Sequence, residues 1–372
     1  MARTKTVQSF RGDTLGLEAR IINAIHKVGP KNISLLSRMT GAHAETIRYK
    51  VKKQFKSSGF KIDANVDYEK LGLEQHLAEL RFSKGYRAAA GKVLSVLNEV
   101  AYLTYYAKVV PQGSYLCVFS VPAGASSELR ALLEELQGMG LLDGFDLSRA
   151  ESSRHDSILP AYFNFRSGRW DVDWSRLRLG PARPLPVRKE QTPSDLDAYD
   201  LMLMKELQTD ALQHVVGIAR KLKVHQKTLE YHYRAHVQKR KLISSYYFRW
   251  IGKPKAESSS VLLTVLLFRD LGNDFQRVQR AVSKIPFLWS EYVTKDDRYV
   301  ALLLTPVREA VTLFSYINEE APELHDRVQV GYVSAGETVS FPVPAHMYKR
   351  GWAFDAATAK ARLARLVKKT RQ

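Results

Sequence analysis

Apolar residues recur at helical spacing over residues 17–29 (LEARIINAIHKVG) and stop at Gly29-Pro30. They resume over 32–40, where Asn32 is a candidate cap, and Gly41 breaks that helix. In the next stretch, TGAHAETIRYKVKKQFKSSG (40–59), Ile47, Val51 and Phe55 lie four apart on one helix face. The same order returns as LDAYDLMLMKELQ (196–208), HVVGIARKLK (214–223) and HQKTLEYHYRAHVQKRK (225–241), with Leu229, Tyr233 and Val237 as the buried stripe. After each helical block the pattern changes. Strands are predicted at 74–83, 101–110, 114–122 and 144–151, with helices at 86–100 and 126–140. Strands at 259–268, 287–295, 298–306 and 326–333, with helices at 273–284 and 308–320, repeat the arrangement.

Three short helices with a tight turn before the third match a helix-turn-helix, and β-α-β-β-α-β is the ferredoxin-like order. The expected fold class is therefore α+β, a tandem duplication of a winged helix-turn-helix followed by a ferredoxin-like domain. A shift of 182 residues supports the duplication: Arg38, His43, Thr46 and Tyr49 fall on Arg220, His225, Thr228 and Tyr231. Pro160, Gly168, Trp170 and Asp173 resemble Pro344, Gly351, Trp352 and Asp355. The Pro- and Arg-rich stretch 178–195 reads as linker. The expected division is a first winged helix-turn-helix at 1–70, a first ferredoxin-like domain at 71–150 and a linker segment at 151–194. A second helix-turn-helix at 195–255, a second ferredoxin-like domain at 256–333 and a basic C-terminal segment at 334–372 complete it.

Charge sharpens this picture. The 372-residue chain carries 57 Lys+Arg against 38 Asp+Glu, a formal net charge of +19. Residues 1–72 hold 14 basic against 6 acidic residues, 195–255 hold 12 against 6, and 334–372 hold 8 against 2. Such sorting points to a polyanionic partner, and double-stranded DNA suits a helix-turn-helix. One cysteine, Cys117, excludes an intramolecular disulfide and a Cys-rich zinc site. The longest apolar run, VLLTVLLF (261–268), is too short to span a bilayer, and a cytoplasmic, nucleoid-associated protein is expected.

The third helix of each block would face DNA. His43, Thr46, Arg48, Tyr49, Lys52, Lys53 and Lys56 are candidates in the first, Arg48 reading guanine and the lysines touching phosphate. In the second they are His225, Gln226, Lys227, Thr228, Tyr231, Arg234, Lys239 and Arg240. His232 and His236, four apart, could share a zinc, but no acidic or thiol ligand stands at a supporting position, so no metal site is expected. There is no Ser/His/Asp set, phosphate-cradling glycine loop or paired-carboxylate motif, so no enzyme and no cofactor are expected.

With GFKIDANVDYEKLGL (59–73) at the junction, the chain resembles the Lrp/AsnC family of transcription regulators, in a double-length archaeal form with two fused units. The resemblance implies a sequence-specific DNA-binding regulator that pairs as a homodimer or higher oligomer through its ferredoxin-like domains. Some members bind an amino acid there. Gly113, Tyr115 and Tyr299 stand where that effector site would be, without the acids that hold an α-amino group. The alternative is an architectural, weakly specific DNA-coating protein.

Overall fold

The computed structural model describes residues 16–155, 158–186, 192–249, 261–322 and 326–371. The first helical block comprises α1 (Leu17–Val28), α2 (Ile33–Thr40) and α3 (Ala44–Tyr49). Asn32 caps α2 by accepting from the Leu35 N–H at 3.0 Å, and Gly41 ends it in the left-handed conformation. From α3 the chain runs through a π-helical turn (Lys50–Gln54) into a last helical turn (Phe55–Ser57). Ile47, Val51 and Phe55 are buried against Ile21, Ile22, Ile25 and Leu36, as the stripe requires. A single strand, β1 (Lys61–Val66), leaves the block.

The chain then forms β2 (Leu73–Phe82), α4 (Ala90–Val100), β3 (Leu103–Val110), β4 (Ser114–Pro122), α5 (Ser126–Gly138) and the long β5 (Leu142–His155). A small hairpin, β6 (Phe163–Asn164) and β7 (Arg169–Trp170), and α6 (Trp174–Leu179) follow. The second helical block has α7 (Ala198–Thr209), α8 (Val215–Leu222) and α9 (Gln226–Tyr231), continued by a π-helical turn (His232–Gln238), and then β8 (Ile243–Arg249). Next come β9 (Val261–Phe268), α10 (Phe275–Lys284), β10 (Leu288–Thr294), β11 (Tyr299–Pro306), α11 (Ala310–Glu320), β12 (Val328–Ser340) and α12 (Ala356–Arg371).

The elements sit close to where the hydrophobic pattern predicts them, but their assembly corrects the expected fold class. The eight long strands close into one barrel, in the order β10-β11-β9-β12-β3-β4-β2-β5. There are not two ferredoxin-like domains but two halves of a single barrel. β5 pairs antiparallel with β10 (Ser153 opposite Tyr292), and β12 with β3 (Tyr332 opposite Val110). Closure satisfies edges that each four-stranded half would leave open, and gives both inner faces one core. Leu77, Ala107, Val118, Val265, Val300 and Leu302 meet in that lumen. The edges expected to pair two domains or two chains are thus paired within the barrel.

The winged helix-turn-helix expectation is corrected in the same way. Among the described residues neither helical block has its own wing hairpin: β1 from one pairs antiparallel with β8 from the other, Ile62 opposite Phe248. A lone strand needs a partner for its backbone, and the nearest is the equivalent strand of the other block. Phe248 then packs edge-on against Phe55 at 5.2 Å between ring centroids, and the Arg249 Nε donates to the buried Asp63 carboxylate at 2.9 Å. The end of the expected second helix-turn-helix domain (195–255) becomes β8 up to Arg249; residues 250–255 lie outside the described residues.

The basic C-terminal segment ends in α12, which buries Ala359, Leu363 and Val367 against the first half. Lys360 pairs with Glu135 and Arg362 with Glu99. No helix among the described residues is long and apolar enough to cross a membrane.

Candidate active site

The barrel end that faces the β1–β8 ribbon holds a chamber. Side chains alternate across a strand, so β10 sends Ser290 and Tyr292 inward and Glu291 outward. His155 lies opposite Ser290 in the register and also turns inward. Its Nδ1 is 3.2 Å from the Ser290 Oγ, and its ring packs edge-on to Tyr292 at 5.2 Å. Outside the barrel wall, Glu291 takes a hydrogen bond from Arg154 Nε at 2.8 Å and another from the Tyr299 hydroxyl at 2.8 Å.

The chamber holds about 90 Å³, enclosed chiefly by Tyr68, Tyr105, Tyr247, Trp289, Tyr292 and His155. It adjoins a cleft of about 520 Å³ along the start of β2 and the end of β5. Asn65, Tyr68, Gln75 and His155 line both spaces. The ribbon supplies the roof through Ala64, Asn65 and Tyr247.

Burial sets the protonation states. It pushes the His155 imidazole down to about 4, so the ring is neutral near pH 7. It pushes the Tyr105 phenol up to about 12, and raises those of Tyr68, Tyr247 and Tyr292 as well. The site therefore presents a neutral imidazole among protonated phenols, groups that can hold, give and receive a proton in a low-dielectric space. The chamber lining offers one imidazole and neither carboxylate nor thiolate, so it is not a metal-ligand set.

The residues singled out for DNA lie elsewhere. His43, Thr46, Arg48, Tyr49, Lys52, Lys53 and Lys56 are all exposed on the first helical block. His43 also caps α3, its Nδ1 accepting from the Glu45 N–H, and Arg48 pairs with Glu45. On the second block His225, Gln226, Lys227, Tyr231, Arg234 and Lys239 are exposed, while Thr228 and Arg240 are half-buried. Arg240 donates to the Asp195 carbonyl. The three effector candidates are not brought together. Gly113 (φ 70°) makes the β3–β4 turn, Tyr115 packs on Phe82 and Tyr106, and Tyr299 stacks on Phe268 in a separate core.

Sequence reasoning missed His155, Tyr68, Tyr105, Tyr247 and Tyr292. Their one visible signal is an aromatic or imidazole side chain on a strand, or, for Tyr68, in the turn before β2. Which ends converge depends on barrel closure.

No family model and no curated protein matches the sequence. Solved structures do. The crystal structure of the siroheme decarboxylase NirDL in complex with an iron-uroporphyrin III analogue aligns over 96% of this chain and 100% of that one, with a TM-score of 0.54 and 10% identity. A second structure of NirDL aligns over 94% and 99%, at 0.54 and 11%. The E. coli AsnC structure covers only 36% of this chain, with a TM-score of 0.28 and 16% identity. The resemblance to a double-length Lrp/AsnC regulator is thereby corrected: the full-length likeness is to the fold of NirDL. The expectation of a non-enzyme falls with it, because that full-length fold is one an enzyme uses.

Proposed function

We propose that this chain is an enzyme whose active site is the chamber beneath the ribbon, and that it decarboxylates a planar, conjugated, carboxylated ring such as a tetrapyrrole. One observation carries the reading: His155, neutral and half-buried, stands where the closed chamber meets the open cleft. The fold likeness to a siroheme decarboxylase supports it.

A carboxylate placed among Tyr105, Trp289 and Tyr292 loses its hydration. Loss of CO₂ disperses its charge, and that step is favoured in an apolar surround. The C–C bond breaks, CO₂ leaves, and the electron pair stays on carbon, delocalised into the substrate ring. A phenol, Tyr292 or Tyr105, gives that carbon its proton. His155 relays the replacement proton from the cleft, so no oxidant is needed. The ring system would lie in the cleft. Asp67, Glu69 and Glu151 outnumber Arg154 on the cleft lining, and Arg154 is already paired with Glu291, so a sparsely carboxylated ring suits it better.

Anaerobic incubation with carboxylated tetrapyrroles, followed by mass spectrometry, tests this. Loss of one carboxyl group by the wild type, slowed roughly 100-fold or more in Tyr292→Phe or His155→Ala, is expected. Unchanged mass together with an unchanged absorption spectrum on titration would sink it.

A second reading concerns the helical blocks. The exposed Thr46, Arg48, Tyr49, Lys52, Lys53 and Lys56 favour contact with nucleic acid. Duplex-DNA affinity that falls steeply with salt, and that drops in Lys52→Ala/Lys53→Ala, would support it. Salt-independent or absent binding would remove it.

A further inference from the structure

We propose that Asp197, Asp200, His232 and His236 form a structural site for a divalent transition metal, with zinc as the best-suited ion. One ligand atom from each lies within 4.8 Å of all the others. The His232 Nδ1 is 3.0 Å from Asp200 Oδ1 and 3.2 Å from Asp197 Oδ2, and the His236 Nδ1 is 3.0 Å from Asp200 Oδ2. Tetrahedral zinc with ligands about 2.0–2.2 Å away spaces its donors roughly 3.3–3.5 Å apart. The three Asp–His pairs already stand near that spacing, and the remaining pairs, within 4.8 Å, would draw in around the ion.

Sequence spacing alone offered two histidines and no further ligand. The fold supplies both carboxylates from α7, which packs across the π-helical turn that carries His232 and His236. Such turns are frequent at functional sites. The ligands are also held in place. The Asp197 Oδ1 caps α7 by accepting from the Tyr199 and Asp200 N–H groups, which leaves Oδ2 turned to the cluster. The Asp200 Oδ2 accepts from the Asp197 N–H at 3.2 Å. The rings of Tyr199 and Tyr231 flank the two imidazoles, at 5.2 Å and 5.4 Å.

The other helical block provides an independent comparison. The residues 182 positions earlier than Asp200, His232 and His236 are Glu18, Lys50 and Gln54. There the Lys50 ammonium lies between the other two, 2.6 Å from Glu18 Oε1 and 3.0 Å from Gln54 Oε1. That place in the fold thus holds a cation. In the second block the lysine is replaced by histidine, while Asp200 is fully buried and Asp197 adds a second carboxylate. A buried carboxylate without a counter-charge is costly, and a dication bound by two imidazoles and two carboxylates restores the balance. All four positions come from protein, so the site is a clamp between α7 and the π-helical turn rather than a catalytic centre.

The full-length chain, equilibrated with zinc chloride against a weak chelator, should retain one equivalent by elemental analysis. Cobalt(II) substituted for zinc should show the intense visible bands of tetrahedral coordination. Zinc should also raise the melting temperature of the wild type. Because loss of ligands could unfold the block, the decisive variant is His232→Lys/His236→Gln, which installs the pair found at Lys50 and Gln54. It should fold, lose the stoichiometric metal and lose the zinc-dependent thermal shift. Substoichiometric binding by the wild type would overturn the proposal. So would a full equivalent retained by the variant.

Discussion

Lys50 and His232 each open a π-helical turn at the same step of their helical blocks, yet Lys50 reaches Glu18 with an ammonium and His232 reaches Asp200 with an imidazole. Burial raises the Glu18 carboxyl, but the Lys50 hydrogen bond, its own backbone N–H and the Lys50 charge together outweigh it and hold the group below its usual value. A lowered carboxyl contributes stability that is present above its unfolded value and is lost as pH falls through the folded one. Lys50→Met should therefore cost about 1 kcal/mol near pH 7, the pair being partly exposed, and much less near pH 3. Urea midpoints at the two pH values check this; an equal loss at both would point to lost packing instead.

His155 makes the chamber beneath the ribbon acid-sensitive. Its imidazole is held at about 4, below the unfolded value near 6.5. Between those values the unfolded chain binds the extra proton, so stability should fall as pH drops from about 6.5 to about 4, by roughly 2–3 kcal/mol. His155→Gln should flatten that part of the curve. A wild-type profile that is level across the window would show that the ring is hydrated and the chamber open.

Glu291 joins β10 to Arg154 of β5 and to Tyr299 of β11 while fully buried. Glu291→Ala leaves the Arg154 guanidinium and the Tyr299 hydroxyl without their shared acceptor, and should cost about 3–5 kcal/mol. A chemical-denaturation midpoint within error of wild type would mean that the barrel wall does not depend on this pair.

At the other seam, where β12 meets β3, Gly331 faces Val109 so closely that an added Cβ would collide with the valine methyl. Gly331→Ala should cost roughly 1–3 kcal/mol by forcing the two strands apart. Hydrogen exchange should show faster opening of Tyr332 and Val333, which pair with Val110 and Val109. Protection equal to wild type would argue against a close-packed seam.

Much of the local structure is legible in sequence because it rests on local physics. Ile47, Val51 and Phe55 mark a helix face at any depth, Asn32 and Gly41 mark the ends of α2, and the run at 114–122 is the strand Ser114–Pro122. The match between residues 182 apart was equally visible, since it needs only comparison. Period-two alternation shows that a strand has two faces, but not which edge it will meet. That choice made one closed barrel where two separate sheets were expected, because β5 meets β10 and β3 meets β12 across more than a hundred residues. The same non-local pairing joined β1 to β8 and roofed the chamber. The functional clusters depend on it most. His155 and Tyr292 are 137 positions apart, and Asp200 and His232 are 32 apart; neither pair has a periodicity that sequence can reveal. Only closure of the barrel and the packing of α7 across the π-helical turn bring them within reach, because burial of a shared core, not local preference, decides which distant side chains meet.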